Sequence, residues 1–415
     1  MSDLTTYPAA LAWLFAQTRA GAPRDPARTR ALLEAFHLAS PPNTVHVVGT
    51  NGKGSVTQAV AAGLSAAGLR TGAFVSPHVE EFRERITVDG VQIDEQAVLE
   101  FVTHLKHLQP DAAFFELCYA LALDHFERKQ VAWAVVEAGV GAKNDATITL
   151  ENVRAVVVTN VSTEHQATLG FALRDIARDK AAAVRPGAPV ITAAQGEALA
   201  VVEEVAAERS SPLFTLSNSP LFALPPDFEA SLYPFQQQNR RLAAATLRLL
   251  DVSEDAVRGS LMSQPLPGRR EVFHIEGKTV IVDGGHNPAA ARALRATLDA
   301  PYVLVFGALP KKQGAATLAA LEADALTTII TWVEGQENTD LEPGRWVVPE
   351  PVEALVEALA ACPARATVVV AGSLYLAGQV RPWLRDQLET SGTPTSAAAA
   401  PTLPSSAKKV RPVPD

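Results

Sequence analysis

Short β-branched runs alternate with Ala/Leu-rich amphipathic stretches along most of the chain. The apolar run at 45–48 leads into a glycine loop and then an amphipathic stretch ending near Gly68. Residues 131–136, 154–160 and 189–192 have the same strand character, and 279–282, 302–306, 327–332 and 367–371 repeat it later. Helical periodicity fills most of the gaps. Apolar strands separated by helices predict parallel sheets covered on both faces.

The pattern breaks twice. Residues 263–270 (SQPLPGRR) interrupt it after a helical run at 238–250, which places a domain boundary there. Beyond about Thr390 the chain turns small, polar and Pro-rich, and a disordered tail is expected over 389–415. The expected units are 1–264, a linker at 265–270, and 271–388. At 415 residues the chain has room for two or three domains.

Hydrophobic residues at 47% and charged residues at 20% supply sizeable cores and exclude wholesale disorder. The formal net charge of -9 argues against a protein that coats nucleic acid. Cys118 and Cys362 lie far apart in apolar surroundings, which excludes a disulfide scaffold and predicts buried thiols in a reducing cytosol. The N-terminal segment carries Asp3 and no basic region, and no run approaches the ~18–20 apolar residues of a membrane span. A cytoplasmic chain without membrane or nucleic-acid partners is expected.

The strongest chemical signal is 45–56, VHVVGTNGKGSV. A strand runs into Gly49-Thr50-Asn51-Gly52-Lys53-Gly54-Ser55 and a helix follows at once. Glycines let backbone N–H groups turn toward an anion, and the helix N-terminus adds partial positive charge. Lys53 can reach terminal phosphates and Ser55 can help to hold Mg²⁺. The spacing departs from GxxxxGK[ST]: two residues separate Gly49 from Gly52, and Gly54 intervenes before Ser55.

That variant resembles the ATP loop of the Mur-ligase superfamily, in particular of the folylpolyglutamate synthase/dihydrofolate synthase family. Residues 76–93 (SPHVEEFRERITVDGVQI), Phe114-Phe115-Glu116, Glu137-Ala138-Gly139 with Asp145-Ala146-Thr147, Pro267-Gly268-Arg269, 283–288 (DGGHNP) and 371–375 (AGSLY) resemble further blocks of that family, in the family's order over about 40–380. The resemblance implies an α/β protein: a P-loop-type, mostly parallel sheet domain, then a smaller Rossmann-like α/β domain. It implies ATP-dependent ligation of L-glutamate to dihydropteroate or folate through an acyl phosphate, with ATP and Mg²⁺ as cofactors, by a monomer acting on small molecules.

The same resemblance assigns roles. Asn51, Gly52, Lys53, Gly54, Ser55, Asn239, Arg269, Asp283 and His286 are expected to bind ATP, with Arg270 as a substitute for Arg269. Ser76, Glu137, His165 and Lys180 are expected at metal. Lys53, His165 and Lys180 are expected to be catalytic, Lys180 as the lysine that several members carbamylate. His78, Phe115 and Asp145 are expected at the acceptor. From the residues alone, Glu137 and Asp283 each end an apolar strand, where an open α/β sheet meets its ligand.

Some positions depart from the family pattern. Gly141-Ala142-Lys143-Asn144 replaces a GGRL-like stretch, Pro310-Lys311-Lys312-Gln313 replaces an acidic one, and Glu164 and Asp179 replace Asp and Glu. Ala182 stands where the family has Gly. The alternatives left open are another Mur-type amino-acid ligase, a nucleotide-binding protein without ligase activity, and a P-loop kinase.

Overall fold

The computed structural model describes residues 4–18, 24–163, 166–310, 313–364 and 366–391. Among these residues two sheets form. The first contains β1 (Asn43–Val48), β2 (Thr71–Phe74), β3 (Ile86–Val88), β4 (Val91–Gln92), β5 (Trp133–Glu137), β6 (Val153–Val158), β7 (Val190–Thr192) and β8 (Leu213–Thr215). Their spatial order is β4-β3-β2-β5-β1-β6-β7-β8. The second contains β9 (Glu271–Ile275), β10 (Lys278–Asp283), β11 (Tyr302–Phe306), β12 (Ala325–Ile330), β13 (Trp346–Val347) and β14 (Thr367–Ala371), in the order β13-β12-β11-β14-β10-β9.

Both sheets are mostly parallel, and the exceptions lie at one edge of each. β3 pairs antiparallel with β2 and β4, and β9 with β10. The hairpins turn at Asp89-Gly90 and Glu276-Gly277, whose φ values of 50° and 78°, then 50° and 76°, are all left-handed. A two-residue turn of that hand needs a small second residue, and glycine supplies it.

Central strands alternate between two covered faces. Val45 and Val47 of β1 pack with Val135, Val157 and Ile191 against the helices Lys53–Ala66 and Pro234–Leu249. Val48, Val156 and Val158 pack on the opposite face against Ala177 and Ala181. Across the second sheet Val280, Val282, Val303 and Val305 face Leu355, Leu376 and Leu384, while Ile281, Leu304 and Phe306 face Leu294, Leu318 and Leu321. Each such side chain contributes about 1.5–3 kcal/mol on burial, so the helices are held chiefly by their apolar faces.

Element bounds shift from the expected ones by a few residues. The strand expected at 131–136 is Trp133–Glu137, and that at 327–332 is Ala325–Ile330. The helix expected at 238–250 opens earlier, at Pro234, which suits a first helical turn. The last helix, Leu374–Ser391, continues past the expected domain end at 388. The rest of the expected tail lies outside the described residues. Cys118 and Cys362 are buried, unpaired thiols.

The lobes touch directly. Glu80, beyond β2, pairs with Arg381 and Arg385 of the last helix. Arg381 also holds Glu271, with Nε–Oε2 at 2.6 Å and Nη2–Oε1 at 2.9 Å. The C-terminal ends of β1, β5 and β6 thereby stand opposite the C-terminal end of β10.

Candidate active site

The loop after β1 hangs on the end of β6. Thr50 N donates to the Asn160 carbonyl (2.8 Å), Asn51 N to Asn160 Oδ1 (3.0 Å), and Thr159 Oγ1 to the Asn51 carbonyl (2.7 Å). Gly52 caps the helix Lys53–Ala66 at φ 84°, ψ −6°. A side chain there would be strained, and its Cβ would collide with the Asn239 amide. Asn239 thus sits directly against the loop. The first-turn N–H groups of the helix have no intrahelical acceptors and form an anion cradle.

These residues line one wall of a cleft of about 1240 Å³ that runs between the lobes. Glu137 closes its floor at the end of β5 and is 4% exposed. Its Oε2 accepts from Ser76 N at 3.0 Å, and its Oε1 lies 4.0 Å from Lys53 Nζ. Burial raises the Glu137 pKa, and the Lys53 charge and the Ser76 bond pull it back. Lys53 Nζ also donates to the Thr50 carbonyl at 3.2 Å.

The second lobe supplies the facing wall. Asp283 ends β10, buried, and accepts from Gly285 N (2.7 Å) and Arg270 N (2.9 Å). Burial raises its pKa and the Arg269 charge opposes the rise. Arg269 and Arg270 differ in their engagements. Arg270 donates to Thr297 Oγ1 (2.8 Å) and to its carbonyl (3.0 Å) and stacks 3.9 Å above the Tyr233 ring. Both arginines line the cleft; Arg270 is tied to Thr297 and Tyr233, while the Arg269 charge opposes the raised pKa of both Asp283 and Glu137. His286 lines the cleft, with Nδ1 3.3 Å from the Gly284 carbonyl. Pro265 and Leu266, expected only as a linker, also form part of the wall, beside Gln264 at the end of the first unit.

A third arm is more apolar. Phe115 lies so close over Gly139 that a Cβ there would meet its ring at 2.7 Å. Asp145 is buried, with Oδ2 accepting from Val140 N (3.0 Å) and Oδ1 from Thr147 N (3.1 Å) and Thr147 Oγ1 (2.6 Å). Thr147 Oγ1 lies 2.9 Å from His46 Nε2 inside the sheet. The carboxylate therefore braces the 140–147 loop that lines this arm. Asp179, a departure from the family pattern, braces the same loop by accepting from Ala142 N at 2.8 Å.

The cleft brings together Asn51, Gly52, Lys53, Gly54, Ser55, Ser76, Phe115, Glu137, Asp145, Asn239, Arg269, Asp283 and His286. Two expected residues stand behind its wall. His78 Nδ1 accepts from Arg85 Nε at 2.8 Å, and Arg85, not His78, faces the cleft. Burial first, and then the Arg85 charge, lowers the His78 pKa to about 4. Lys180 is fully buried, not the solvated helix lysine that its local sequence suggests, and its Nζ donates to the Gly49 carbonyl at 2.7 Å. Glu164, His165, Lys311 and Lys312 lie outside the described residues. Sequence reasoning assigned no role to Arg85, Asn160 or Asn287, although Arg85 and Asn287 stand inside recognised blocks.

The oxygen donors fit a hard cation. Glu137 offers a buried carboxylate next to the phosphate loop, with Ser55 and Ser76 on the same cleft. Among the described residues no cluster of three His, Cys, Asp or Glu forms a complete cage. Mg²⁺ needs none, since it takes one or two protein oxygens alongside phosphates and water.

Comparison with known proteins places these features. Residues 268–374 match the family model described as Mur ligase, glutamate ligase domain. A probable bifunctional folylpolyglutamate synthase/dihydropteroate synthase of Haloferax volcanii is 34% identical over 82% of this chain and 46% of its own length. The chain spans about half the length of the haloarchaeal relatives it matches. The folylpolyglutamate synthase of Lacticaseibacillus casei is 30% identical over 85% of this chain and 93% of that protein. Among solved structures, Escherichia coli FolC in complex with DHPP and ADP superposes with a TM-score of 0.78 at 27% identity, covering 92% of this chain and 98% of that one.

Proposed function

The chain belongs to the folylpolyglutamate synthase/dihydrofolate synthase family, and on that premise we propose that it is an ATP-dependent amide ligase adding L-glutamate to a dihydropteroate or folate carboxylate. The observation that carries this reading is one cleft lined by the phosphate loop, Glu137 and the Arg269/Asp283/His286 group of the other lobe. Of the two activities in the names of the haloarchaeal relatives only the ligase is carried over, because the matched family model is a glutamate ligase domain.

Amide formation requires the acceptor carboxylate to be activated, and transfer of the terminal phosphoryl group of ATP does so. The N–H groups after Gly52 hold and orient the phosphates, and Lys53 stands against the charge that develops during transfer. Glu137, with Ser55 and Ser76, would hold Mg²⁺, and His165 and Lys180 are assigned to a second ion. The bound cation neutralises phosphate charge. Asn239, Arg269, Asp283 and His286 position the nucleotide from the two lobes, so their approach completes the site and keeps water from the activated carboxylate. Phe115 and the loop braced by Asp145 hold the acceptor's ring system. The division at 265–270 separates the units that close on ATP, and the enzyme works as a cytoplasmic monomer on small molecules.

The test is phosphate release measured with ATP and Mg²⁺ while glutamate and acceptor are each left out in turn. Release is expected to need both. Release with a hydroxyl acceptor in place of glutamate refutes the ligase assignment in favour of a kinase.

A further inference from the structure

Arg85 is 4% exposed and its side chain lines the cleft. Its Nε donates to His78 Nδ1 at 2.8 Å, and its guanidinium carbon lies 5.1 Å and 5.9 Å from the Phe114 and Phe82 ring centroids. The imidazole is neutral at physiological pH, so it returns no negative charge. Among the described residues Arg85 pairs with no carboxylate. By contrast Arg381, the other buried arginine among the described residues, is matched by Glu80 and Glu271. Leaving a buried guanidinium without an anion is costly, and a ligand anion offsets that cost.

Its backbone is fixed in advance. The Glu84 carboxylate accepts from Val79 N (2.7 Å), Glu80 N (2.9 Å) and Glu81 N (2.8 Å), locking the loop that delivers Arg85. Glu80 in that loop is the residue tied to the last helix of the other lobe. The Arg85 charge is felt at Glu137, after Lys53 and Arg269, and at the Tyr375 hydroxyl across the cleft. Arg85, Glu137 and, from the second lobe, Tyr375 line the same cleft. The nucleotide phosphates have their own cradle and Lys53, and the acceptor arm is aromatic. The carboxylates of the acceptor and of the amino acid have no residue assigned to them. Dihydropteroate's single carboxylate is the one activated, whereas the amino acid keeps both of its carboxylates when its amine is acylated.

We propose that Arg85 binds a carboxylate of the incoming amino acid, held in place by His78 and the two phenyl rings. The guanidinium offers a planar fork that matches a carboxylate, which a lysine ammonium does not. This inference rests on the ligase reading above and adds the recognition group for its amine substrate.

The experiment compares wild type, Arg85→Gln and Arg85→Lys in glutamate titrations with dihydropteroate and, separately, tetrahydrofolate as acceptor. Arg85→Gln is expected to raise the glutamate KM by about 10- to 100-fold with both acceptors, leaving the ATP and acceptor KM within about threefold, and Arg85→Lys is expected to recover part of the loss. An unchanged glutamate KM overturns the proposal. So does a raised KM for tetrahydrofolate with normal glutamate use on dihydropteroate, because that assigns Arg85 to the acceptor's own glutamate tail. If Arg85→Gln does not turn over, thermal stabilisation replaces kinetics: loss of the glutamate-dependent shift, with the shift by the ATP analogue AMPPCP retained, supports the assignment. A wild-type glutamate shift, or loss of both shifts, overturns it. Wild-type enzyme showing no glutamate-dependent phosphate release would instead refute the ligase reading, an outcome that does not depend on either variant.

Discussion

The side-chain amides of Asn51 and Asn287 form a reciprocal pair between the lobes: Asn287 Nδ2 donates to Asn51 Oδ1 at 2.9 Å, and Asn51 Nδ2 donates to Asn287 Oδ1 at 3.3 Å. Asn287 Oδ1 also accepts from Ala290 N at 2.9 Å and so caps the helix Pro288–Arg295. One residue thus starts a helix in the second lobe and fastens the phosphate loop of the first.

Asn287→Ala removes both functions. Loss of an N-cap of this kind costs about 1 kcal/mol. The lost clasp acts on lobe approach, so the ATP KM is expected to rise by about tenfold, more than a stability loss of that size explains. A thermal melt beside an ATP titration checks this, and a melt that falls while the ATP KM stays put removes the clasp from the account.

Lys53→Ala is expected to lower turnover by at least ~10²-fold, as removal of one preorganised electrostatic contact does elsewhere. Lys53 is partly exposed to the cleft, at 15% of its side chain, and its contacts are local to the loop and Glu137. The melting temperature should therefore change little. Phosphate release and a melt on the same preparation are the measurements.

Glu137 carries a pH signature. Its pKa in the folded chain is raised, chiefly by burial. A raised carboxyl stabilises the fold while protonated, below its unfolded pKa, and that stability is lost as pH rises through the folded value. At neutral pH the ionised side chain is therefore a burden on the fold that function requires. Glu137→Gln is expected to abolish turnover while its melting temperature at neutral pH equals or exceeds wild type, the difference shrinking as pH falls toward the ordinary carboxylate range. The wild-type acid limb of kcat/KM is expected above that range, since only the ionised group serves a cation. A destabilised Gln variant at neutral pH contradicts this account.

The main elements of both sheets were legible because their strands are buried on two faces and separated by helices. β11 and β14 fall where the apolar runs are, since both are central. β2, β3, β4, β8, β9 and β13 were not read, although Asp89-Gly90 and Glu276-Gly277 are turn signals: all but β9 have four residues or fewer, and β9 (EVFHI) breaks its apolar run with Glu271 and His274. The strand-end acids were legible for a related reason: Glu137 and Asp283 each close an apolar run. What could not be read was which of two neighbours tertiary packing ties to a partner. Arg269 and Arg270 are adjacent in sequence, and only Thr297 and Tyr233, brought in by tertiary packing, separate their roles. His78 and Arg85 pose the same problem seven positions apart.

Lys180 offers the sharpest test. It lies on the helix Leu173–Ala181 with no exposed surface, and its Nζ donates to the carbonyl of Gly49, the residue that opens the phosphate loop. As an ammonium it would brace the loop from below. As a carbamate its nitrogen keeps one N–H for the same carbonyl, while the added oxygens present negative charge to a cation. The Gly49 bond is thus common to both forms, and stability alone does not tell them apart. Lys180→Ala is expected to lower the melting temperature and to remove most turnover, because a buried donor and three methylenes are lost together. The carbamate assignment adds a further expectation: small carboxylates or bicarbonate in the buffer should restore part of the turnover without restoring the melt. A simple brace predicts no rescue by a carboxylate such as acetate, which has no hydrogen to donate to the Gly49 carbonyl, so acetate and not bicarbonate, which keeps an O–H, decides between the two. Near-full activity in Lys180→Ala would exclude both roles at once, and turnover rescued only together with stability would assign Lys180 to the fold and not to the metal.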